Sequence, residues 1–195
     1  MPHPFADRWN HNSHYYPMIG ALVPASARRV LDLGCGDGTL VRHLARPGRT
    51  VHGLDIDAAV LPETEPGVVF EVGSAEQLAH PRASMDAVTM VMVLHHVDAQ
   101  RALAEVRRVL RPGGTAVVLG FGNDATPADR LWSTRDVVVH RWLARRRTRW
   151  EPPVAVADPA LTWRQTRTLL AAELPGGRYR RLPLWRYRYV WTAPA

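Results

Sequence analysis

The sequence predicts an α/β fold: a doubly wound, mostly parallel sheet with helices on both faces. Three observations predict it. Apolar, β-branched runs alternate with helical patterns over the first 122 residues, the signature of strand–helix–strand units. These runs are continuous, as strands buried on both faces require. The first of them ends in Gly34-Cys-Gly-Asp-Gly38 and then a helical pattern, a turn that lets the backbone lie directly against a ligand.

The strands follow in order. Arg29 to Gly34 is the first, Thr50 to Asp57 the second, Val68 to Gly73 the third, Asp86 to His95 the fourth and Thr115 to Gly122 the fifth. Leu40 to Ala45 reads as the first crossover helix. Ala102 to Leu110 reads as another, with Leu103, Val106 and Leu110 on one face and Glu105 and Arg108 as an i,i+3 pair,. Arg111-Pro-Gly-Gly114 should stop that helix and turn the chain into the fifth strand. The link from Asp57 to Pro66 holds two prolines, so at most one helical turn fits there,. Pro127 to Arg149 reads as one or two helices ending in a basic run, and Glu151 to Pro159 as a loop. Leu161 to Leu174 is a further helix, with Asp158 or Thr162 as N-cap and Pro175-Gly-Gly177 as its stop,. Arg180 to Trp191 alternates with period two. Trp185, Tyr187, Tyr189 and Trp191 share one face of a strand that can pair with the segment around Tyr179,.

Composition bounds the setting. The chain has 195 residues, suited to one domain, and 46% of them are hydrophobic,. No apolar run approaches the ~18 residues that span a bilayer, and no basic segment followed by an apolar one marks a secretory leader. The single cysteine, Cys35, excludes an internal disulfide and a cysteine zinc cluster,. A cytoplasmic protein with no membrane partner is the expectation. The net charge of +7 raises the question of a polyanion partner, but the chain has no lysine. Its basicity is all arginine, which accords with coding bias and a solvated basic surface. Nucleic acid is a partner that the sequence allows without favouring it.

The glycine spacing selects the ligand class. A dinucleotide loop has G-x-G-x-x-G with pyrophosphate at the helix N-terminus. Here the spacing is G-x-G-x-G, and Asp32 precedes the loop by two residues. A carboxylate there repels pyrophosphate and attracts an ammonium group. Asp55 ends the second strand, where a carboxylate can accept from both ribose hydroxyls; Asp57 is a weaker candidate. Together they favour a nucleoside joined to an amino acid without phosphate.

At these residues a resemblance emerges. VLDLGCGDG, GLDI, GSAEQL, MDAVTMVMVLHHV and LRPGG, in that order, resemble the motifs of class I S-adenosylmethionine-dependent methyltransferases, most closely the small-molecule kind grouped as methyltransferase type 11. The resemblance covers about Val30 to Leu119. It implies a Rossmann-like, seven-stranded sheet with a C-terminal antiparallel hairpin and an N-terminal helical lid. One unit, 1–195, would divide into a lid (1–28), a cofactor core (29–122) and a substrate-side half (123–195). The implied cofactor is S-adenosylmethionine, released as S-adenosylhomocysteine. Asp32 would meet its amino group, with Gly34, Cys35 and Gly36 close against it. Asp55 would hold the ribose, and Ile56 would pack on the adenine. Ser74 and Ala75 would border the adenine edge, and Val91 would touch the methionine portion. Where this chain has Ser74, the family often has Asp; Glu76 can substitute.

The acceptor is less legible. Methyl transfer asks mainly for alignment and water exclusion, with a base for some acceptors. His95 and His96 follow the fourth strand at the edge where such folds bind ligands, and either can act as base; so can His14. His11 and His14 stand at i,i+3, but no third ligand accompanies them, so no metal is expected. The amino-methylating kin have Asn/Asp-Pro-Pro-aromatic after the fourth strand, where this chain has Leu94-His-His-Val97. A small-molecule acceptor, O-, N- or C-methylated, in secondary metabolism is the leading expectation. The alternatives are an RNA- or peptide-directed enzyme docking through Arg141 to Arg149, and a non-methylating cyclase or regulator. Trp9 to Met18 would close over the cleft, with Tyr15 and Tyr16 flanking the sulfonium.

Overall fold

The computed structural model describes residues 5–151 and 158–195. Seven strands form one sheet in the order β3-β2-β1-β4-β5-β7-β6. They are β1 (Arg29–Leu33), β2 (Thr50–Asp55), β3 (Val68–Val72), β4 (Met85–Val91), β5 (Leu110–Gly120), β6 (Arg178–Leu182) and β7 (Arg186–Thr192). β1 to β5 are parallel; β7 lies antiparallel to both β5 and β6. The helices are α1 (Tyr16–Leu22), α2 (Thr39–Leu44), α3 (Ala99–Val109), α4 (Pro127–Ala144) and α5 (Trp163–Glu173), with a 3-10 turn at Ser13–Tyr15.

The continuous apolar runs are explained by two cores. Leu31, Leu33, Val88 and Met90 face Leu103 and Val106 of α3 and Trp163 and Leu170 of α5. Val30, Val51, Val117 and Leu119 face Ile19 of α1, Leu40 and Leu44 of α2, and Leu143 of α4. Each fully buried aliphatic side chain contributes roughly 1.5–3 kcal/mol of transfer free energy. Neighbours along one strand therefore serve opposite faces, and the buried polar pair Asp32 and Thr89 is the exception, each satisfying the other.

Local chemistry sets the helix ends. The Asp98 carboxylate accepts from the amides of Gln100 and Arg101 and starts α3 three residues before its apolar face,. Thr126 with Asp129, and Thr162 with Gln165, form capping boxes at α4 and α5,; Thr162, not Asp158, is the cap of α5. Pro127 to Arg149 yields one helix, ending at Ala144. Between β2 and β3 no helix forms, as the two prolines require. The expected loop from Glu151 to Pro159 lies mostly outside the described residues.

Two elements differ from expectation. The predicted helix through Leu110 ends at Val109, and Leu110 already pairs with Met85. Arg111-Pro-Gly-Gly114 is a bulge within β5, because the ladder resumes at Ala87 opposite Thr115,. The expected strand from Arg180 to Trp191 is two strands joined by a turn at Pro183-Leu184-Trp185, with φ of 59° and 52° at Leu184 and Trp185. Period-two alternation continues through that turn and so hides it. Tyr187, Tyr189 and Trp191 keep their common buried face, while Trp185 sits in the turn. Asp136 of α4, fully buried, accepts from the Trp185 amide at 2.9 Å and from Arg135 at 3.0 Å.

Candidate active site

The glycine loop is shaped by its own backbone. Gly34, Gly36 and Gly38 have φ of 67°, 52° and 73°, a region that costs other residues about 1–2 kcal/mol. A Cβ on Gly34 would overlap the Val93 side chain, and one on Gly38 would overlap Phe70. The Gly34 and Cys35 amides donate to Leu54 O at 2.7 and 3.1 Å, which holds the loop against the end of β2.

Around this loop the structure gathers most of the sequence-derived cofactor residues. Asp55 ends β2, and its carboxylate accepts from the Gly36 amide at 2.8 Å and from the Asp57 amide at 3.1 Å. Ile56, next in the chain, is 76% exposed. A large aliphatic side chain left open beside the loop is a surface a planar base can cover. Asp32 lies under the loop, 2% exposed, and accepts from the Thr89 hydroxyl at 2.6 Å. Burial, reinforced by Asp55 and opposed by the Thr89 hydrogen bond, raises its carboxyl to about 7,. Cys35 is buried, and burial raises its thiol well above the usual range. Ser74 accepts from the Glu76 amide at 3.1 Å, and Ala75 belongs to the core. Val91 ends β4, and Met92 follows in the left-handed region with φ 61°.

The histidines do not converge. His95 and His96 stack with ring centroids 4.0 Å apart, and His95 meets Phe121 edge-on at 4.6 Å. Burial first, then His96 and Arg186, lowers His95 to about 4. It is a neutral imidazole at ordinary pH. His14 instead has its Nδ1 2.9 Å from Arg147 Nη1, so its lone pair faces a guanidinium. His11 pairs with His140 at 2.8 Å.

The segment from Trp9 to Met18 is ordered by partners far along the chain. The Trp9 backbone is held between Thr148 and Trp150, by amide hydrogen bonds of 2.9 Å on each side. The Tyr15 hydroxyl donates to Pro183 O at 2.6 Å, which aims it at the hairpin turn. Tyr16 packs elsewhere. Its ring meets Phe5 edge-on at 5.4 Å, and burial, then Asp32 and Asp37, raises its hydroxyl well above the usual range. Of the basic run, Arg147 is engaged by Trp9 and His14, while Arg149 forms an exposed ion pair with Glu151.

One functional candidate escaped the sequence. Arg186, the first residue of β7, is 8% exposed. Its Nε and Nη2 donate to Asn12 Oδ1 at 3.0 and 2.8 Å, and its Nη1 donates to Leu184 O and Trp185 O. Burial lowers it to about 10. Among the described residues no carboxylate pairs with it, and 152–157 contains no acid. Alternation pointed outward at Arg186, and its contact with Asn12 spans 174 positions. Beside Phe121 and His95 opens a cavity of about 240 Å³, lined by Leu94, Gly120, Leu161, Thr166 and Tyr187 among others.

The fold and the glycine loop define a class. A methyltransferase from Methanosarcina mazei, described as S-adenosylmethionine-dependent, has the same architecture, with a TM-score of 0.63 over 92% of this chain and 98% of that one at 21% identity. Residues 31–118 match the family described as methyltransferase domain. A Mycobacterium tuberculosis protein described as an uncharacterized methyltransferase is 35% identical over 198 residues, covering 95% of this chain and 98% of that one. A ubiquinone biosynthesis O-methyltransferase from Thiobacillus denitrificans is 32% identical over 126 residues, about 54% of each chain. The chain belongs to the methyltransferase family. Among the described residues no helix is long and apolar enough to cross a membrane.

Proposed function

We propose that this enzyme methylates a small-molecule acceptor held between the N-terminal segment, the His95–Phe121 corner and α5. The observation that carries this reading is the cavity beside His95. It opens at the carboxyl ends of β4 and β5, where folds of this kind place ligands, and it is lined mainly by apolar side chains. On this reading residues 1–28 act as the lid, 29–122 as the cofactor core and 123–195 as the acceptor side.

The residues present fit S-adenosylmethionine. The loop makes three left-handed glycine turns, Asp32 offers a carboxyl below it, and Asp55 and Ile56 stand at the end of β2. That cofactor supplies a methyl group on a sulfonium. Asp32 would hold its ammonium, Asp55 its ribose hydroxyls, and Ile56, Ser74 and Ala75 its base. Val91 and the Tyr16 ring would border the reacting end. An acceptor in the cavity would receive that methyl group, and its proton would pass to His95, His96 or water. His95, at about 4, is a weak base. It suits orienting an acceptor whose proton departs late, rather than removing that proton beforehand. Arg186 supplies positive charge on this side without a carboxylate partner, which favours an acceptor with an anionic group.

The test is S-adenosylhomocysteine formation, followed by mass spectrometry, over a panel of small acids and their neutral amides. Turnover of acids in preference to amides, with KM raised in Arg186→Gln, is expected. Turnover confined to RNA or peptides, or failure to bind S-adenosylhomocysteine at all, would overturn it.

A further inference from the structure

Away from the cofactor edge, on the face covered by α3, three side chains from separate segments meet. His52 lies on β2, Glu71 on β3, and His80 in the loop after β3. His52 pairs with Val69, two residues before Glu71, so both side chains leave the same face of the sheet,. His52 Nδ1 is 2.6 Å from Glu71 Oε1, and His80 Nε2 is 3.5 Å from the same oxygen. One ligand atom from each residue lies within 4.8 Å of the others. The imidazole planes cross at 89°, so their nitrogens approach the carboxylate from different directions.

We propose that His52, Glu71 and His80 bind a transition-metal dication of the zinc class, with water completing the shell. Two imidazoles and a carboxylate are the donors such ions take, whereas magnesium and calcium prefer oxygen alone. Bonds of ~2.0–2.2 Å in a tetrahedron place neighbouring ligand atoms roughly 3.3–3.6 Å apart. The His80–Glu71 spacing meets this, and a small carboxylate rotation opens the His52 contact to match. His80 itself is 7% exposed, and its Nδ1 is buried without a hydrogen-bond partner.

The site is rigid and reachable. Arg108 donates to His80 O at 2.7 Å and to Leu78 O at 2.9 Å, while Glu105 accepts from the Leu78 amide at 2.7 Å. Helix α3 therefore fixes the loop that presents His80. The side chains of His52 and Glu71 are 16% and 33% exposed, which leaves an entry path and room for water. A bound ion would pin the loop that also carries Ser74 and Ala75. This role is structural and independent of which acceptor is methylated.

Zinc titration of the full chain by calorimetry against a competing chelator tests the proposal. One zinc per chain is expected, with no response to magnesium or calcium, and cobalt should give the intense visible bands of a tetrahedral site. His52→Gln and His80→Gln should each weaken zinc binding at least ~100-fold, while His11→Gln leaves it unchanged. Zinc at ~100 times its Kd should raise Tm by several degrees in wild type only. Zinc affinity unchanged in His52→Gln and His80→Gln, or no saturable binding to wild type, overturns it. Should a variant fail to fold, the wild-type cobalt spectrum decides: octahedral cobalt refutes the site.

Discussion

Cofactor binding should release a proton from Asp32. In the ligand-free protein its carboxyl, buried beneath the glycine loop, sits at about 7. At pH 7 about half of the molecules then carry a proton there, at pH 6 about nine-tenths and at pH 8 about one-tenth. A bound ammonium within hydrogen-bond reach lowers such a group by roughly 1–3 pH units. Binding of S-adenosylhomocysteine, which has the ammonium but no sulfonium, should therefore release about half a proton at pH 7 and about a tenth at pH 8. Titration calorimetry in phosphate, Hepes and Tris reads this number as the slope of apparent enthalpy against buffer ionisation enthalpy. Asp32→Asn should abolish the slope. It should also weaken binding about tenfold or more, since a charge-assisted hydrogen bond contributes roughly 1.5–3 kcal/mol. A zero slope for the wild type at pH 7, or a slope unchanged in Asp32→Asn, refutes the assignment. Linkage agrees in sign: a carboxyl raised from 3.8 destabilises the ligand-free fold as pH rises from about 4 to 7,.

Three further outcomes follow from local geometry. Gly34→Ala combines a left-handed backbone with overlap on Val93 and should cost about 2 kcal/mol or more in urea unfolding; an unchanged midpoint would contradict it, and Val93→Ala should restore part of the loss. Asp136→Ala strips the buried Trp185 amide of its acceptor and should cost about 1–3 kcal/mol, with faster hydrogen exchange at Trp185. The pH response has its own sign. Burial lowers His11 to about 3 and His95 to about 4, so below 6.5 the unfolded chain takes protons that the fold refuses. Their contribution to stability declines as pH falls from 6.5 toward 4, and the Tm of His11→Gln should fall less steeply than wild type. Parallel curves would dismiss that account.

The parallel half of the fold was open to sequence reading because burial on both faces leaves unbroken apolar runs, and because Gly34, Gly36 and Gly38 stand where only glycine is unstrained. Asp32, Asp55 and Ile56 come from the two strand ends flanking that loop, so sequence order alone brought them together. Arg186 was hidden: a basic residue in an alternating strand reads as solvent-facing until the N-terminal segment is known to cover it. The Leu184–Trp185 turn was hidden by a pattern that keeps its period across the bend. His52, Glu71 and His80 share no spacing at all; strand register and an arginine on α3 bring them together.

The long reach of the N-terminal segment has a consequence for how the protein is made. Asn12 waits for Arg186, 174 positions later, and the Trp9 backbone waits for Thr148 and Trp150. At synthesis rates of roughly 5–20 residues per second, this segment stays undocked for on the order of ten seconds or more after it is made. The glycine loop, β1 and β2 can assemble in that interval with their upper edge uncovered. A segment made before the glycine loop is among the last to find its place.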